Sequence, residues 1–83
     1  MDDEEELQTK LAGLRQLKEM GEKAYDDMYE AHSPRDANDC YREAKDCYYE
    51  AIGLARRLGL EEEAELLSKR LAHIKDVFRS QFT

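Results

Sequence analysis

The sequence predicts an all-α fold, an antiparallel three-helix bundle, and three observations carry that prediction. Apolar residues recur at steps of three and four along almost the whole chain, as they do on helices with one buried stripe. Two places interrupt the pattern, Ser33-Pro34 and Gly59, and both have the chemistry of helix ends. The 83 residues include one proline and four glycines, and 40% are charged. That suits exposed helices and gives strands little support.

The first stripe runs through Leu7, Leu11, Leu14, Leu17, Gly21, Ala24, Tyr25, Met28 and Ala31, which predicts a long helix over about residues 4–32. Its acidic lead-in complements the positive end of the helix dipole, with residues 1–5 expected as a frayed start. Gly21 lies on the stripe itself, where a missing side chain allows a neighbouring helix to come close. Ser33 is placed as an N-cap, Pro34 as the first helical residue, and Asp36 at the acidic position of a capping box. The second helix is therefore expected over about residues 34–58, folded back on the first through a short connection.

The second helix organises the rest. Ala37, Ala44 and Ala51 alternate with Tyr41, Tyr48 and Leu54, so a row of small residues leaves room for a helix on either side. Arg56 and Arg57 suit the negative end of the dipole, and Gly59 followed by Leu60 reads as a left-handed cap with its hydrophobic contact. A third helix over about residues 61–79 carries the stripe Ala64, Leu67, Leu71, Ile74 and Phe78, with its basic residues Lys69, Arg70, Lys75 and Arg79 late in the helix. One helical domain accounts for residues 1–83.

The net charge of −7 repels phosphate backbones and anionic lipid surfaces, which disfavours nucleic-acid and membrane partners. An acidic start is neither a basic secretory leader nor an Arg-rich transit peptide. No apolar run approaches the roughly 20 residues of a membrane span. Cys40 and Cys47, at i and i+7, stand about 10 Å apart along a helix, too far for a disulfide. Buried, reduced thiols in a cytoplasmic protein are the expectation.

The segment Tyr41-x-x-Ala44-x-x-x-Tyr48-x-x-Ala51-Ile52-x-Leu54 resembles the second helix of a tetratricopeptide repeat (TPR). Ala64-x-x-Leu67-Ser68-x-x-Leu71 looks like the opening helix of a following repeat. The chain has no tryptophan, and its first helix is about twice the length of the repeat's. The resemblance implies antiparallel helices and a role in binding proteins or peptides, without naming the ligand.

No nucleophile elbow, phosphate loop, H-E-x-x-H or dinucleotide glycine pattern occurs. The paired carboxylates, Asp26 with Asp27 and Glu61 to Glu63, lie on helix faces or starts that water would cover, so none is placed in a desolvated pocket as a general acid requires. The expectation is a non-enzymatic protein-interaction module without a cofactor. The alternative is a small metal-binding regulator or enzyme using His32, His73 and the two cysteines, although cysteines at i and i+7 do not readily share one ion.

Two candidate surfaces follow. If the first and third helices run parallel on one side of the second, Tyr25 and Tyr29 flank a shallow face shared with Lys69 and His73, suited to an acidic peptide. Away from the main stripes, Tyr49, Ile52, Leu66 and Val77 form a flank expected to be partly exposed. Such a flank could dock a partner or a second copy of the chain in a weak homodimer, with repulsion between like-charged copies relieved by salt.

Overall fold

The computed structural model describes residues 3–82 of the chain. It is an all-α bundle of three helices, α1 (Asp3–Glu30), α2 (Pro34–Arg57) and α3 (Glu61–Gln81). Of the expected frayed start, residues 1 and 2 lie outside the described residues. Asp3, Glu4 and Glu5 belong to the first turn of α1, where their charge favours the helix.

The first connection is set by Ser33. Its backbone is extended (φ −147°, ψ 158°), as expected for a residue before proline. Its Oγ accepts a hydrogen bond from the Asp36 amide at 3.1 Å. This extended cap ends α1 at Glu30 rather than at His32, because Ala31 and His32 must leave the helix to reach it. At the second connection Gly59 has φ 76°, and the backbone closes through Gly59 N–H to Arg56 O at 3.0 Å and Leu60 N–H to Ala55 O at 2.8 Å. That pair of bonds is a Schellman cap, and it needs a residue at ease in the left-handed region. At the other end of α3 the helix continues two residues beyond the expected Arg79, with Phe82 stacked on Phe78 at 5.7 Å between ring centroids.

Core packing follows the small-residue row of α2. Ala44, Ala51 and Ala55 are fully buried, as are Met28 of α1 and Ile74 of α3. The alanines let both outer helices come close, and the larger side chains fill the space between. Gly21 shows how close α1 and α2 are: a Cβ built there would stand 2.6 Å from Tyr48 Cε2 and 3.5 Å from Cys47 Cβ. Cys47 is buried and Cys40 is half-buried, and both are free thiols. The expectation that both are buried is thus met by Cys47 alone, because Cys40 sits at the edge of the α2 stripe. Burial, and then neighbouring carboxylates, push both thiols above their usual pKa, which keeps them protonated and poorly reactive.

Contacts between α1 and α3 ascend together along both helices: Lys18 with Glu63, Glu22 with Arg70, Tyr29 with Phe82. The two outer helices therefore run parallel, both against α2. Residues 3–12 are exposed throughout, so α1 projects past the end of α2 by about two turns. The molecule is accordingly long, 48 × 20 × 12 Å, with a radius of gyration of 14.3 Å, against roughly 12 Å for a compact chain of this length. Among the described residues no helix is long and apolar enough to cross a membrane.

Candidate functional site

Two grooves flank α3, and they differ in how their charges are satisfied. On the α1 side, Glu22 is the meeting point of all three helices. The Arg70 guanidinium grips its carboxylate with both arms, Nε to Oε2 at 2.8 Å and Nη2 to Oε1 at 2.7 Å, and the Tyr48 hydroxyl donates to the same Oε2. Arg70 is the leading cause that holds the Glu22 carboxyl below its usual pKa, helped by the hydrogen bond from Tyr48. Lys18 pairs with Glu63 at 2.6 Å beside this cluster. The ion pairs on this side are internal, so the charges that line this groove are already satisfied by one another.

The expected tyrosine face is built differently from its sequence reading. Tyr25 is buried and Tyr29 exposed, their rings edge to face at 5.3 Å and their hydroxyls 3.1 Å apart. The cation over Tyr25 is Arg70, at 5.0 Å from the ring centroid. Lys69 instead turns outward to Glu65, 3.7 Å away, because one residue along a helix rotates a side chain by about 100°. His73 is exposed on the Glu22 side. Tyr29 continues into an aromatic run through Phe82 and Phe78 to Tyr41, the last two stacked at 3.9 Å.

The expected flank of Tyr49, Ile52, Leu66 and Val77 does not form one surface. Leu66, 62% exposed, stands at the rim of the α1 side with Lys18 and Glu63. Val77 is half-buried against the core. Tyr49 and Ile52 lie on the opposite side of α3. Ile52, expected to be partly exposed, is buried at 7%, because α3 packs over the edge of the α2 stripe.

There, between α2 and α3, runs a second groove of about 290 Å³. Its α2 wall is Tyr49, Ile52 and Arg56, at i, i+3 and i+7. Its α3 wall is Ser68, Leu71, Ala72 and Lys75. Ser68 and Ala72 are too small to close the gap, so Ile52 and Leu71 become its floor. On the rim, Lys75 lies 4.8 Å over the Tyr49 ring and donates to its hydroxyl. Arg56 forms no ion pair among the described residues. On a chain of net charge −7, the charged side chains lining this groove are both cations.

No family model, curated protein or solved structure matches the chain. The candidate site therefore rests on its own geometry. Among the described residues no three His, Cys, Asp or Glu side chains gather into a metal-holding group. His32 is exposed in the first connection and Cys47 is buried in mid-α2. Sequence reasoning missed Lys75 as the partner of Tyr49 and Arg56 as a wall of the same groove, having read both as complements to helix dipoles. The available signal was their placement on the same sides of their helices as Tyr49 and Ala72.

Proposed function

We propose that the chain is a non-enzymatic, TPR-like protein-binding module whose α2/α3 groove takes a peptide segment carrying carboxylates beside apolar side chains. The observation behind this reading is the groove itself, with Ile52 and Leu71 as an apolar floor and, on its rim, Arg56 and Lys75, which form no ion pair among the described residues. Apolar side chains of a ligand would leave water against the floor. Its carboxylates would meet the guanidinium and the ammonium, which set orientation and encounter rate more than affinity. Tyr49, 53% exposed, offers a rigid ring for packing. The parallel placement of α1 and α3 on α2 agrees with the repeat-like architecture that the resemblance implies.

A groove this short buries far less than a standard interface of about 1,600 Å², so binding should be weak and transient. The test is amide chemical-shift mapping with short peptides of matched apolar content, either acidic or with Gln and Asn in place of Glu and Asp. Saturable shifts centred on Tyr49, Ile52, Ala72 and Lys75 with the acidic peptides, reduced at least tenfold in affinity by the amide versions, are expected. Acidic peptides that leave these amides unmoved at millimolar concentration would overturn the reading.

A further inference from the structure

We propose that the occupant of the α2/α3 groove is the projecting first two turns of α1 from a second copy of the chain. The inference rests on the groove reading above and names its partner. The projecting segment has the chemistry the groove requires. Asp3, Glu4 and Glu5 lie in its first turn, with no ion pair among the described residues. Leu7 and Leu11 follow at 45% and 36% exposure.

These leucines continue the stripe that is buried at Leu14, yet both remain exposed within one chain. Their own α2 ends too soon: Gly21 packs against Cys47 and Tyr48, and an antiparallel register fixed there brings the last turn of α2 abreast of Leu11. A rigid helix cannot fold back into its own groove, so a second copy must supply it. In a two-fold pair each copy gives one acidic turn and receives one, which closes the assembly at two chains. The attraction is between unlike charges, Asp3, Glu4 and Glu5 against Arg56 and Lys75. Association should therefore weaken as salt rises, although the net charge of each chain alone would give the opposite trend.

The test is sedimentation of the full chain and of two charge-reversed variants, Arg56→Glu with Lys75→Glu, and Glu4→Lys with Glu5→Lys. Wild type is expected to dimerise at low salt and to dissociate progressively as salt is added. Each variant alone should associate at least tenfold more weakly. An equimolar mixture of the two should recover the dimer, because both exchanged contacts are then again between opposite charges, and that recovery also shows that the variants are folded. A mixture that stays monomeric, or a wild type that is monomeric at millimolar concentration in low salt, overturns the proposal. If acidic peptides still shift the groove amides in that case, self-docking alone is lost. If they do not, the groove reading falls with it.

Discussion

Glu22 shows how much one side chain can organise in a chain with a modest core. It stands on α1, accepts from Tyr48 of α2 and is clasped by Arg70 of α3, so removing its charge loosens three helices at once. The folded carboxyl is held below its ordinary value of 4.5, first by Arg70. Its stabilising effect is therefore complete above about pH 4.5 and is lost as pH falls through the lowered folded value. Glu22→Gln should lower stability at pH 7, and the gap between variant and wild type should narrow as the pH is taken toward 3. With 41% of the side chain exposed, solvent screening keeps the cost to about 1 kcal/mol or less. Urea unfolding of both proteins across that range measures it, and a gap independent of pH would contradict the assignment.

At the scale of the helices, the two connections rest on different chemistry and should fail differently. Ser33→Ala removes the oxygen that holds the Asp36 amide and should cost about 1 kcal/mol. Gly59→Ala leaves open space around its new Cβ but forces alanine to φ 76°, at roughly 1–2 kcal/mol. Thermal midpoints of the two variants check both values. These connections were legible in the sequence because each depends on residues within a few positions of one another. The grooves were not. A helical wheel tells which residues lie off a stripe, and Tyr49 and Leu66 both do, but it does not tell to which side. The rotation of α3 about its own axis against α2 decides that, and it pairs Glu22 with Arg70 and Tyr49 with Lys75 across 48 and 26 positions.

The whole molecule is a hairpin of unequal arms with a third helix laid along it. Its long shape places the deepest burial in mid-bundle, where Met28, Ala44, Ala51 and Ile74 are fully enclosed, and leaves residues 3–12 exposed. Local opening should follow that gradient. Amide exchange in dilute protein is expected to be fast from Asp3 to Lys10 and slowest around Ala44 to Ala55. At concentrations and low salt that favour pairing, the first turns should gain protection while the mid-bundle rates stay unchanged. Uniform protection along α1 in dilute solution would mean that the arm is covered within a single chain.

The tyrosine hydroxyls buried at the helix seams give the protein an optical alkaline limit. Burial, followed by the Tyr29 hydroxyl, pushes Tyr25 up to about 12, and burial with the neighbouring Glu22 carboxylate raises Tyr48 as well. The fold thus holds these two phenols neutral, and the stability this contributes is intact below their unfolded value of about 10 and drains away as pH climbs toward 12. In a chain without tryptophan, the tyrosinate absorbance band is unobscured. A stepwise alkaline titration should show part of that band rising only when helicity is lost, at one shared midpoint. Tyr48→Phe should shrink the late component and leave the earlier one in place.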